Sequence, residues 1–380
     1  MKNDPEKQGD ITWPPRSLYD PDPVREEDLW FMPGPPEDVA PTDMPWAMAD
    51  RGRARDSGLD VAVWRLAEAA QYRGLIAAVQ AVARFGLRLK SFPAGVIERF
   101  ALSSVSAVLK GEGVWLSPEQ IALYRALRVS TDDTARDLAR ASWGVRRLLG
   151  PTKPSGRGGS AGAGGGDPLD GVRVFLGRST VQDPQEVPGL DRSVGPEFSA
   201  LSDHWRATVQ GLQDVHPLTR AGVAYALWRA SGITPFEERL EPAVAALLIG
   251  TDELAPFLPL ADGHHLDRAV IGGRAGGAEA RLIGFYGAVE AGALNALLML
   301  DRLAAWQARA GQRTADLSGR TPLRLIDTLL RLPVLSAGLV AHDVGCSRPA
   351  ARRNLALFAR RGLVREVTGQ ARYRFWVVQL

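Results

Sequence analysis

The sequence predicts a mainly α-helical protein whose strands are confined to the last seventeen residues. Three observations carry that expectation. Apolar residues recur near the helical period over residues 59–149 and again over 197–318, while strand-like alternation is found only beside the C-terminus. The chain is 45% hydrophobic and 23% charged over 380 residues, which excludes disorder throughout and leaves room for two or three domains.

Taken in order, residues 1–58 hold ten of the 26 prolines, so helices cannot propagate there. Trp13, Trp30 and Trp46 are spaced along this stretch, which reads as an extended proline-rich arm with aromatic anchors. From Leu59, the residues Val61, Trp64, Leu66, Ala69, Leu75, Ile76, Val79, Val82 and Phe85 repeat at the helical period as far as Gly86, predicting one long amphipathic helix. Further helices are expected over 94–109, from the Ser117-Pro118-Glu119-Gln120 start to Leu127, and over 132–149. These close an N-terminal helical region of 59–149.

The next stretch, 150–196, opens with seven glycines between Pro151 and Asp167 and has almost nothing to bury, so it reads as a flexible linker and loop. A phosphate-binding loop would need a Gly-Lys-Ser/Thr ending between a strand and a helix, and the sequence supplies none of these. Helices resume over 197–212, 217–231, 235–249 and 279–310, forming a helical body of 197–318.

Composition narrows the chemistry. The single cysteine, Cys346, excludes an intrachain disulfide framework, a thiolate zinc cluster and a redox pair, as expected of a cytoplasmic protein. Met1-Lys2-Asn3-Asp4-Pro5 leads into prolines, so the N-terminus lacks the apolar core of a secretory signal. Leu282 to Leu300 is the most membrane-like stretch, yet it carries Glu290 and Asn295 at its centre, which favours a buried helix and no membrane role. Adjacent His264 and His265 point different ways on any regular backbone, and no His-x-x-x-His pair accompanies them, so neither a metal nor a cofactor is expected. No nucleophile elbow or paired carboxylate nominates an enzyme.

The net charge of +3 hides an asymmetry. From Arg320 to Leu380 there are eleven arginines and no lysine against Asp327, Asp343 and Glu366, a balance of +8, which leaves the rest of the chain at −5. A basic terminal module on a mildly acidic body suits a polyanionic partner. Within residues 319–380 the pattern predicts helices over 322–332, 336–344 and 348–361, then antiparallel strands at Leu363–Val367 and Tyr373–Val378. Gly345 is placed for a helix exit at positive φ, Ser347 for a helix cap, and Ala351, Leu355 and Phe358 for the inner face of the third helix.

The run Val340-Ala341-His342-Asp343-Val344-Gly345-Cys346-Ser347-Arg348-Pro349-Ala350-Ala351-Arg352-Arg353-Asn354-Leu355, followed by Arg360-Arg361-Gly362-Leu363-Val364, resembles the winged helix-turn-helix of bacterial regulators. The resemblance implies a recognition helix that presents Arg348, Arg352 and Arg353 to the major groove of double-stranded DNA, where arginine pairs with guanine edges. Ser347 and the helix N-terminus would meet phosphate, Asn354 would read adenine or turn to solvent, and Gln370 with Arg372 would touch the backbone or minor groove from the wing. Regulators of this kind commonly bind as homodimers.

A second resemblance covers most of the chain from residue 61. The order of a long helix, a helix containing Ser103-Ser104 and ending in Leu109-Lys110-Gly111-Glu112, a His216-Pro217-Leu218 start, the loop Leu258-Pro259-Leu260-Ala261-Asp262-Gly263 and a terminal winged helix is similar to Fic-type proteins. It is also similar to proteobacterial proteins of rhizobial type that join such a Fic-like multi-helix body to a C-terminal helix-turn-helix domain. Fic-type proteins transfer AMP using a histidine and a glycine-rich phosphate cradle. Here the loop has leucine in place of that histidine and lacks the following Gly-Arg, and Lys110 stands in place of the family's inhibitory glutamate. The sequence therefore predicts a DNA-binding regulator whose body dimerises or senses a ligand, with a divergent AMP or nucleotidyl transferase as the alternative.

Overall fold

The computed structural model describes residues 60–127, 134–150, 195–235, 237–251, 256–261, 266, 277–370 and 373–380, all within one unit, Gly52–Leu380. The proline-rich arm and nearly all of the glycine-rich linker lie outside the described residues.

The first helices are α1 (Val61–Ala70), opened by the Asp60 carboxylate accepting from the Ala62 amide, and α2 (Tyr72–Leu89). The expected single helix is thus two. At Gln71 the backbone leaves helical geometry, its N–H is shared between the Ala67 and Glu68 carbonyls, and its side-chain amide donates to Glu279 at 3.1 Å. The buried face keeps its direction across the break: Trp64, Ala67, Ala78, Ala81, Val82 and Phe85 are buried on one side, whereas Leu66 and Ile76 lie on the other and are exposed, Leu66 at 72%. Small alanines on this face let α2 approach its neighbours closely.

A 3₁₀ turn at Ala94–Val96 leads into α3 (Ile97–Gly111), followed by α4 (Pro118–Leu127) and α5 (Ala135–Leu148). Ser117 and Gln120 cap α4 reciprocally, the Gln120 amide donating to Ser117 Oγ and the Ser117 amide to Gln120 Oε1. Next come α6 (Gly195–Gln210), α7 (Pro217–Ser231) and α8 (Leu240–Ile249), the last starting five residues later than the sequence suggested. Glu112 sets that start. Its Oε1 accepts from the backbone amides of Arg239 and Leu240 at 2.6 and 2.8 Å, and Arg140 pairs with Oε2 at 2.8 Å.

The centre of the body is α7, buried at every position from Leu218 to Trp228 except Arg220, with Trp205 and Trp228 meeting edge to face at 5.0 Å. Against it and α2 lies α9 (Ala278–Arg313), 36 residues and therefore about 54 Å long. It is the one described helix long and apolar enough to cross a membrane, and half of its most apolar window is buried inside the protein. Gly292 lets the loop 256–261 press onto α9, where the Ala261 amide donates to the Ala288 carbonyl and the Leu260 amide to Ser104 Oγ, both at 3.0 Å.

The terminal module comprises α10 (Thr321–Arg331), β1 (Leu335–Ser336), α11 (Ala337–Val344), α12 (Arg348–Arg360), β2 (Val364–Glu366) and β3 (Phe375–Val378). The strands form an antiparallel sheet in the order β1-β3-β2, with Val364 opposite Val378 and Leu335 opposite Trp376. The hairpin follows the sequence reading. The two-residue β1 does not, because a strand that short carries no alternation.

This module is fastened to the body. Arg99 of α3 donates to the carbonyls of Leu329 and Leu332 at 2.6 and 2.7 Å and to that of Leu330 at 3.3 Å, capping the C-terminus of α10. Burial holds the Arg99 guanidinium at about 10, below the ordinary arginine value. At the other end, Arg361 pairs with Asp316 through both nitrogens at 2.5 and 2.7 Å, and Arg313 donates to the Arg361 carbonyl. Arg365 of β2 pairs with Glu119 of α4.

Candidate nucleic-acid interface

The interface begins with three short helices that share one core. Leu325, Ile326, Leu329 and Leu330 of α10, Val340 and Val344 of α11, and Ala351, Leu355 and Phe358 of α12 are all buried. Leu339, expected among the apolar positions, is 40% exposed. Ser336 caps α11 by accepting from the Leu339 amide at 3.2 Å, and Gly345 ends it at φ 73°, a conformation that costs a side-chain-bearing residue. Ser347 then caps α12, its Oγ accepting from the Ala350 amide at 3.3 Å. Pro349 lies in the first turn, where a helix amide has no intrahelical acceptor to lose.

Polar contacts lock the angle between α10 and α11. Thr328 and Arg331 both donate to the Asp343 carboxylate. Burial alone would raise that carboxyl, but these donors outweigh it and hold it below the ordinary aspartate value.

The outer face of α12 presents Arg348, Arg352, Arg353 and Arg360, all exposed. None of their side chains has an ion pair or a hydrogen bond among the described residues. The module's other described arginines past Arg320 are engaged: Arg324 donates to the Val344 carbonyl, Arg331 pairs with Asp327 and Asp343, Arg361 with Asp316, Arg365 with Glu119, and Arg374 donates to the Gln370 carbonyl. Unpaired cations are therefore gathered on one helix face. Such a face gains most from meeting phosphate or a base edge, since no internal partner must be given up.

Arg348, Arg352 and Ala356 also form one wall of an open groove of about 740 Å³. Gly338 at the start of α11 lies along it, and Tyr373 and Arg374 close it from the hairpin. Ala356 leaves room between the arginines. Tyr373 is 78% exposed and takes φ 58°, unusual for a non-glycine residue. At the hairpin tip Glu366 accepts from the Thr368 amide and hydroxyl and from the Gly369 amide, and the Thr368 contacts hold its carboxyl below the ordinary glutamate range.

The sequence-nominated residues are thus distributed unequally. Ser347, Arg348, Arg352 and Arg353 share the exposed N-terminal half of α12. Asn354 is half-buried, and its Nδ2 donates to the Ala350 carbonyl at 2.9 Å, which ties the amide donor to its own helix. Gln370 is exposed at the hairpin, and Arg372 lies outside the described residues. Sequence reasoning missed Gly338, Tyr373 and Arg374 as groove residues. Only Arg374 had a signal, as one more arginine, and it was assigned to a strand that begins one residue later.

Residues 323–378 match a protein-family model described as an HTH DNA binding domain. The chain carries a C-terminal HTH DNA-binding domain. The match covers α10 to β3 and does not extend into the body. No curated protein matches the chain. The expected likeness of the body to Fic-type proteins gains no support: Leu258 and Leu260 of the corresponding loop are buried against the core, and residues 262–265 lie outside the described residues. No cluster of three metal-ligating side chains occurs among the described residues.

Proposed function

We propose that this protein binds double-stranded DNA through α12 and the β2–β3 hairpin, in the manner of a winged helix-turn-helix, and acts in the cytoplasm as a transcriptional regulator. One observation carries the reading: four arginines without partners among the described residues share the exposed face of a capped helix inside a domain that matches the HTH model. Arg348 and Arg352 point along the groove, where a fork of N–H donors suits guanine, while Arg353 and Arg360 on the flank suit phosphate.

In this reading the body has no covalent chemistry and needs neither metal nor cofactor. It holds the reading helix and joins two copies. The outer face of α9 supports homodimerisation with Ile283, Leu294 and Leu298, large apolar residues about half exposed. The same helix, packed on α1, α2 and α7, serves as core rather than as a membrane span.

The test is a titration of the full chain with labelled duplex DNA at several salt concentrations. Affinity that falls linearly with salt on logarithmic axes, together with one motif enriched from random duplexes, supports the proposal. Salt-independent binding, or none, removes it.

A further inference from the structure

A second cavity lies at the seam between the body and the DNA-binding domain. It measures about 240 Å³. Leu102 of α3 and Met299 of α9 line it from the body, and Val334 and Val377 from the module. Arg99 is in its wall, and Glu119 lies at its edge.

The guanidinium of Arg99 makes this cleft more than a packing fault. Three of its five N–H donors cap α10 through Nε and Nη2, which leaves the two on Nη1 without an acceptor among the described residues. No carboxylate of the described residues lies within ion-pair distance of it: neighbouring Glu98 is bonded to Arg125, and Glu119 is taken by Arg365. A charge half removed from water without a counter-ion is costly, and an anion that brings its own apolar body relieves it. The walls select that body, because a multiply charged anion such as phosphate would lose its hydration against Leu102, Met299 and Val377.

We propose that this cleft is a ligand site for a small apolar monocarboxylate, its carboxylate on Arg99 Nη1 and its aromatic ring or short alkyl chain between α3, α9 and β3. The volume falls just below the roughly 300–1,000 Å³ of ordinary small-ligand sites, so the occupant is compact. Because the walls come from both parts, a bound acid bridges the body and the DNA-binding domain. That makes it the sensed signal of the regulator proposed above, and this role rests on that reading.

Isothermal titration of the full-length protein without DNA tests the site, with benzoate and hexanoate as probes and benzyl alcohol and benzylamine as neutral and cationic controls. At least one acid should bind about tenfold or more tightly than benzyl alcohol, and benzylamine should not saturate. Removing Arg99 would also uncap α10, so the informative variant is Met299→Trp, which fills the cleft and leaves the guanidinium in place. It should weaken acid binding about tenfold or more with an unchanged circular-dichroism spectrum. Failure of both acids to bind, equal affinity for acid and alcohol, or undiminished binding by Met299→Trp overturns the proposal. DNA affinity measured separately keeps the two readings apart: a chain that binds duplex but no acid loses only this site, and one that binds acid but no duplex loses only the regulator.

Discussion

The indole Nε1 of Trp306 donates to the main-chain carbonyl of Leu363 at 2.8 Å, and both residues are fully buried. Trp306 belongs to the last third of α9, and Leu363 is the step into β2, so this bond, with Arg309 donating to the Gln379 carbonyl at 3.2 Å, fastens the body's longest helix to the hairpin. Replacing Trp306 by phenylalanine keeps much of the ring but removes this bond, leaving the Leu363 carbonyl with the Gln379 amide at 3.0 Å as its donor, at a cost of about 0.5–1.5 kcal/mol. Urea unfolding followed by circular dichroism should show that loss. An unchanged midpoint would mean that the indole bond contributes nothing to holding the hairpin.

Arg352 and Arg353 are exposed and unpaired, so removing both leaves the helix core of Ala351, Leu355 and Phe358 intact. The variant Arg352→Ala, Arg353→Ala should lose about 2 kcal/mol or more of duplex affinity, and the slope of its salt dependence should flatten by about one for each phosphate contact removed. Fluorescence anisotropy at three salt concentrations measures both. Wild-type affinity in this variant would place the reading surface elsewhere.

Two glycines test different kinds of constraint. A Cβ on Gly345 would meet only the tip of Arg324 at 3.8 Å, so the penalty of Gly345→Ala comes from φ 73° alone and should be about 1–2 kcal/mol. A Cβ on Gly292 would lie 2.5 Å from the Pro259 carbonyl oxygen, so Gly292→Ala must push the loop 256–261 off α9. Thermal melts should rank Gly292→Ala as the more damaging, and proteolysis should cut near the displaced loop in that variant alone.

Asp343 gives the α10–α11 contact a pH dependence of defined sign. Its folded-state value lies below the ordinary one of about 3.9, so its pairing with Thr328 and Arg331 contributes stability above that pH and loses it as the pH falls through the lowered value. Acid unfolding of Asp343→Asn should lack this component and converge with the wild type at the lowest pH. Parallel curves offset equally at pH 7 and pH 2 would refute the assignment.

Much of the terminal module was legible because its signals are local. The Ser347 cap, the Gly345 exit and the spacing of Ala351, Leu355 and Phe358 depend only on neighbours in sequence, and each is found where the pattern put it. What escaped depends on tertiary partners. Gln71 interrupts a helix of good periodicity by turning its amide to Glu279, which is 208 residues away. Leu66 and Ile76 are as apolar as their neighbours but lie across the helices from Trp64, Val82 and Phe85, and they face solvent. The same limit governed the arginines. Arg348 and Arg361 look alike as residues of a basic run, and only the fold shows that one is free and the other spent on Asp316. Arg99 gave no signal at all, being one cation in an amphipathic helix.

The clamps at Arg99, Arg361 and Trp306 leave α12 little freedom to swivel against α9. In the homodimer proposed above, the reading head would therefore move with the chassis, and the pair would inherit its reach from the body rather than from slack in a tether. On that proposal, operators with misplaced half-sites would have to bend or twist their own duplex to be gripped, and spacing between half-sites would be a property written into α9 and the helices around it.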